Sequence, residues 1–145
     1  MAKSKIKNKR GFPRTGLISR GILVREKKLT EKYFDFLKCT HKSKKLILTG
    51  VTKPTTFSPE YYFRIEYDGF QPPSIYVISP KIEYNPEIHM YPKDSSLCLY
   101  WPKEMLWNRF NHNLFNTIIP WTLEWFVFYE KYKISGKWEH PEVHF

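Results

Sequence analysis

The chain has 145 residues, a formal net charge of +10, and 41% hydrophobic and 18% aromatic residues. That length suits one domain able to bury most of its unfolded surface, and so many aromatic rings exclude a wholly disordered chain. Its two cysteines, Cys39 and Cys98, are too few for a secreted disulfide framework or a Cys-only zinc site. No apolar run approaches the roughly 20 residues that cross a bilayer, and no apolar leader with a small-residue cleavage site follows the basic start. A cytoplasmic protein with reduced thiols and no membrane contact is expected.

The positive charge is concentrated at the start. Residues 1–28 hold ten Lys or Arg and one acid, Glu26, leaving a net charge of only +1 for the rest of the chain. Like charges repel, so residues 1–14 read as a basic disordered arm and 15–145 as a single domain. Two readings of the arm stay open: nonspecific contact with nucleic acid through phosphates, or a solubilising tail. Neither a recognition helix nor an RNA-binding signature accompanies it.

Between Leu17 and Leu37 the apolar residues fall loosely at helical spacing, which predicts one or two opening helices. Lys44 to Val51 reads as a first strand closed by Gly50 and Pro54. From Tyr61 to Asp68 the alternation is clean, with Tyr61, Phe63, Ile65 and Tyr67 on one face, as in a half-buried strand. Asp68-Gly69 and Pro72-Pro73 bracket a reversal, and Ile75 to Ile78 forms the next strand, stopped by Pro80. Residues 80–113 show no sustained period, and long irregular segments are often functional.

Leu114, Ile118, Trp121, Trp125, Phe128 and Tyr132 then paint one helical face, which Pro120 either begins anew or kinks. This face is expected in the core. Gly136 is the expected left-handed cap, with Lys131 and Lys133 at the negative end of the helix dipole. The class is α+β, with an N-terminal helix, an antiparallel meander sheet, an irregular segment that holds the site and a C-terminal helix.

Chemistry is sought in that irregular segment. Asp94-Ser95-Ser96 forms a turn, and Leu97 and Leu99 alternate with Cys98, so the thiol faces away from what the leucines pack against. Pro102 restrains the backbone after it. An exposed thiol suits a nucleophile that accepts an acyl group and releases it again; the bland alternative is a small buried hydrophobe. His89, nine residues earlier, is placed to tune the thiol or donate to an oxyanion. Asp94 is placed to orient an incoming amine, although turn formation also accounts for it. Trp101 and Trp107 flank the segment without helical period and are docking candidates.

Other classes are weaker. A cysteine hydrolase would need a base such as His112, His140 or His144. Among Cys39, His41, His89, Cys98, His140 and His144 the only close pair is Cys39 and His41, without zinc-finger spacing, so no metal or other cofactor is expected.

The stretch from His89 through Met90, Tyr91, Pro92, Lys93, Asp94, Ser95, Ser96 and Leu97 to Cys98 and Leu99 resembles the active-site segment of ubiquitin-conjugating enzymes, with Pro72 to Val77 in place of the preceding strand. Leu97-Cys98-Leu99-Tyr100, Ile118-Ile119-Pro120-Trp121, Glu124-Trp125, Tyr129-Glu130 and Gly136-Lys137-Trp138 more closely resemble the bacterial ubiquitin-conjugating-like proteins of type II CBASS antiphage operons. The resemblance runs from about Lys44 to the C-terminus. It implies the ubiquitin-conjugating (UBC-like) fold with a sheet of about four strands.

The resemblance also implies that Cys98 forms a thioester with the C-terminus of a partner, a cGAS-like nucleotidyltransferase, and passes it to a target. A separate activating enzyme would supply the activated carboxylate, since no glycine-rich phosphate loop is present. One departure stands out. Ubiquitin-conjugating enzymes carry an Asn shortly after the histidine, whereas Met90 and Tyr91 follow His89, and neither offers an amide. Either His89, Asn108, Asn111 or Asn113 replaces that oxyanion donor, or the reaction is slow or different. The rival to this reading is a noncatalytic module of the same fold that docks on the nucleotidyltransferase.

Overall fold

A computed structural model describes residues 14–139. The first 13 residues of the expected basic arm lie outside them, as do His140 and His144; Arg14 already belongs to the first helix.

Helix α1 (Arg14–Tyr33) is continuous, settling the choice between one and two opening helices in favour of one. It buries Ile22, Leu23, Glu26 and Thr30, a stripe spaced for one helical face. The sheet is an antiparallel meander in sequential order, β1 (Lys38–Lys42), β2 (Lys45–Thr52), β3 (Tyr61–Tyr67) and β4 (Ser74–Ser79). Leu46 lies opposite Tyr67, Leu48 opposite Ile65 and Gly50 opposite Phe63, while Ile65 also faces Ile75. All of these apolar side chains are buried, so the period-2 alternation of β3 covers the core. At Gly50 a Cβ would stand 2.4 Å from Leu37 Cδ2 and 3.1 Å from the Phe63 ring, so any side chain here would force the buried Leu37 to shift.

The reversal between β3 and β4 is held by Asp68, whose Oδ1 accepts from the amides of Phe70 and Gln71, each at 2.8 Å, as an Asx turn does. After β4 the only helical turn before the last helix is a 3-10 turn at Pro86–Ile88. Helix α2 (Ile118–Ser135) follows, with Pro120 in its first turn, where a missing N–H costs nothing. Gly136 closes it in the left-handed region (φ 76°), donating its N–H to the Tyr132 carbonyl, as the sequence predicts.

The buried face of α2 differs from the expected one. Ile118, Ile119, Thr122, Trp125 and Phe126 are buried, whereas Trp121, Phe128 and Tyr132 are only partly so. The face is turned toward Phe126 because that ring sits on β3, 4.8 Å from Tyr61 and 5.9 Å from Phe63. Among the described residues no helix is long and apolar enough to cross a membrane.

Candidate active site

The site is assembled from the irregular segment, and it is fastened to α2. Asn85 caps the 3-10 turn, its Oδ1 accepting from the Glu87 amide at 2.8 Å, and its Nδ2 donates to the Tyr132 hydroxyl. That hydroxyl in turn donates to Glu87 Oε1 at 2.9 Å. The buried Trp125 indole donates to the Ile88 carbonyl at 3.0 Å, where the alternative is an orphaned carbonyl in the core. His89 then adopts a left-handed conformation (φ 59°, ψ 68°), which histidine tolerates better than most residues. Its ring stacks on Trp138 with centroids 5.4 Å apart.

From His89 the chain runs into a short hairpin. Met90 bridges Leu97 antiparallel, the Tyr91 amide donates to the Ser96 carbonyl at 2.8 Å, and the Cys98 amide donates to the His89 carbonyl at 3.0 Å. The Leu97 amide reaches the Ile75 carbonyl on β4 at 2.9 Å, tying the hairpin to the sheet edge. Side chains alternate across such a ladder. Met90, Leu97 and Leu99 are buried, while Tyr91 and Cys98 face outward on the other side. The two leucines therefore position the thiol as expected, although it is half-buried rather than fully exposed.

At the tip, Asp94 Oδ1 accepts from the Ser96 amide at 3.0 Å and from the Ser96 hydroxyl at 2.7 Å. These bonds hold the Asp94 carboxyl below its ordinary range, first through the Ser96 side chain. In this structure the carboxylate serves the turn that presents Cys98.

Cys98 lines an open cleft of about 360 Å³ with Pro86, His89, Met90, Tyr91, Trp101, Pro102 and Lys103. The thiol donates to the Tyr100 carbonyl at 3.2 Å, and the Tyr91 side chain lines the same cleft. Burial pushes the Cys98 thiol up, against the Tyr91 contact, which favours thiolate. The thiolate fraction at neutral pH is thereby reduced, but each thiolate that forms is the more nucleophilic. Burial also pushes the neighbouring Tyr100 phenol up to about 12.

Of the site residues predicted from sequence, His89, Cys98 and Trp101 share this cleft, and Trp101 is 44% exposed at its mouth. Trp107 lies elsewhere: its indole donates to the Tyr67 hydroxyl at 3.0 Å and packs edge-on against that ring. His112 accepts from the Asn108 amide at Nδ1 and packs against Trp107. Asn108 Oδ1 closes its own turn by accepting from the amides of Phe110 and Asn111. None of Asn108, Asn111, His112 and Asn113 lines the Cys98 cleft. Among the described residues no three His, Cys, Asp or Glu side chains gather as a metal site would require.

Sequence reasoning passed over Tyr91 as a contributor. The signal was present in the pattern, because two apolar residues, Met90 and Leu97, flanking a Pro-Lys-Asp-Ser turn place Tyr91 and Cys98 on the opposite face once the hairpin is recognised.

The family model described as Type II CBASS E2 protein matches residues 26–145. No curated protein matches the chain.

Proposed function

The chain belongs to the family of type II CBASS E2 proteins, ubiquitin-conjugating-like proteins of bacterial antiphage defence, and from that premise we propose that it is an acyl carrier working through a Cys98 thioester. The supporting observation is the placement of the thiol. Buried Leu97 and Leu99 lock the backbone on either side, and Cys98 lines an open cleft of mixed polar and apolar character. Sulfur suits the task because its thiolate attacks well and also leaves well.

In this reading the acyl donor is the C-terminus of a cGAS-like nucleotidyltransferase, and a separate enzyme activates the carboxylate. The Cys98 thiolate attacks the activated carbonyl, forms the C–S bond and expels the activating group. An amine on the target then attacks the thioester, forming an amide and returning the thiol.

The test mixes the full chain with its candidate nucleotidyltransferase and a neighbouring activating enzyme and resolves the products on nonreducing gels. An adduct released by added thiol and absent in Cys98→Ala is the expected result. Persistence of the whole adduct in Cys98→Ala would remove the thioester assignment, and persistence of antiphage protection in Cys98→Ala cells would favour a noncatalytic docking module.

A further inference from the structure

We propose that the Tyr91 hydroxyl is the catalytic hydrogen-bond donor of this site, holding the negative charge that develops on the Cys98 thioester while an amine attacks it. The inference rests on the thioester reading above and assigns the step that the sequence leaves without a side-chain amide.

Three observations carry it. Tyr91 lines the same cleft as Cys98 and projects from the same face of the hairpin, opposite the Met90–Leu97 pair, so that its hydroxyl acts on the thiol. In a thioester the carbonyl oxygen is two bonds from that sulfur, so a donor reaching Sγ stands beside the oxygen as well. The backbone of Tyr91 is pinned on both sides, its N–H donating to Ser96 at 2.8 Å and its carbonyl accepting from Ser95 at 2.9 Å, and a preorganised donor needs no rearrangement when charge appears. Tyr91 also lines two clefts: the one of about 360 Å³ that holds Cys98, and one of about 250 Å³ lined in part by Pro72, Pro73, Asp94 and Tyr100. A chain end in one cleft and an acceptor approaching from the other would meet at the phenol.

The protonation state agrees with the role. Burial, reinforced by the hydrogen bond to Cys98, pushes the Tyr91 phenol up, so it remains a donor throughout the physiological range. The competing donors are otherwise placed. Asn108 is spent on its own turn, and Asn111 and Asn113 do not line the cleft; His89 does line it, with its ring stacked on Trp138, and Tyr91 is the residue shared with the second cleft.

The step balances without a cofactor. The amine lone pair forms the C–N bond while the carbonyl π pair moves onto oxygen, where the Tyr91 O–H donates to it. Collapse restores the carbonyl and breaks the C–S bond. Sulfur leaves with that bond pair, the ammonium proton passes through solvent to the thiolate, and Tyr91 keeps its own proton.

The experiment charges the full chain by thiol exchange with a glycine-terminated peptide α-thioester, removes free thiol, and follows single-turnover discharge to hydroxylamine. Tyr91→Phe keeps the ring and is expected to charge on Cys98 to the wild-type extent but to discharge on the order of 100-fold to 1000-fold more slowly. With Tyr91→3,5-difluorotyrosine, whose phenol ionises well below that of tyrosine, the discharge rate relative to wild type is expected to fall as pH rises through the lowered pKa. Normal charging with wild-type discharge in Tyr91→Phe, or a flat ratio for the fluorinated phenol, overturns the proposal alone. A wild-type chain that never charges on Cys98 overturns the thioester reading and the Tyr91 role with it.

Discussion

Glu26→Ala is expected to lower the unfolding free energy by about 2–3 kcal/mol, the cost of losing charge-assisted hydrogen bonds and leaving the buried Leu114 N–H unpaired. Glu26 is fully buried in α1, yet it is fully engaged. Its Oε2 accepts from Arg25 Nη2 at 2.9 Å and its Oε1 from the Leu114 amide at 2.9 Å, 88 positions further along the chain. Arg25 extends the tie by donating to the Arg109 carbonyl at 3.1 Å. One carboxylate thus fastens α1 to the segment that leads into α2. Alanine leaves the buried Leu114 N–H with no acceptor, whereas Glu26→Gln keeps an oxygen facing it and should cost about 1–2 kcal/mol, the difference between a charged and a neutral hydrogen bond. Urea unfolding checks both, with the midpoint falling and the slope unchanged if only the native contact is lost. Equal stability of Glu26→Ala and wild type would show that the contact does not hold the two helices together.

Phe126→Ala is expected to cost about 3–5 kcal/mol, through lost burial and the cavity left beside β3. Phe126 is fully buried, and its ring meets Tyr61, Phe63 and Trp125 at centroid distances of 4.8, 5.9 and 5.3 Å. Since small domains hold only about 5–15 kcal/mol in total, this single truncation approaches the limit of a folded chain. Phe128→Ala, on the partly exposed side of α2, is expected to cost much less. Thermal melts of the two variants separate the observed helix face from the one suggested by spacing alone, and equal losses would contradict the observed face.

That helix face illustrates what was legible beforehand and what was not. The period from Leu114 to Tyr132 located α2, and Gly136 its end, but left its start open at Pro120; the helix begins at Ile118, with Leu114 outside it. The aromatics of this helix spread over a broad arc of about 160°, however, with Phe126 and Phe128 at its opposite margins, so spacing alone could not decide between them; contact with Tyr61 and Phe63 decided it. The strands with alternating or continuous apolar residues, β2 to β4, were readable to within a residue or two. β1 was not located in the chain itself, because Lys38-Cys39-Thr40-His41-Lys42 is an edge strand with only Cys39 partly buried, and an edge needs little apolar patterning. Its four-strand sheet was foreseen only through the family resemblance.

The candidate site divides in the same way. The alternation of Leu97, Cys98 and Leu99 disclosed the direction of the thiol. The proximity of His89 followed from nine intervening steps only because a hairpin folds them back, pairing the Cys98 amide with the His89 carbonyl. Trp101 and Trp107 looked equivalent in sequence, and the fold separates them: one stands at the mouth of the cleft and the other hydrogen-bonds Tyr67. Tyr91 lacks an amide, yet its phenol offers a hydrogen-bond donor from a longer side chain.

Cys39 provides an internal comparison for the chemistry, since it too is half-buried and its thiol is also pushed up by burial. Cys39 packs against the core from β1, whereas Cys98 opens into the cleft. The most direct measurement is therefore peptide mapping by mass spectrometry, under acidic nonreducing conditions, after the full chain has been incubated with a glycine-terminated peptide α-thioester. The predicted result is one acyl adduct, on the fragment containing Cys98 and removed by hydroxylamine. An adduct on Cys39, an equal division between the two thiols, or an unmodified Cys98 would contradict it.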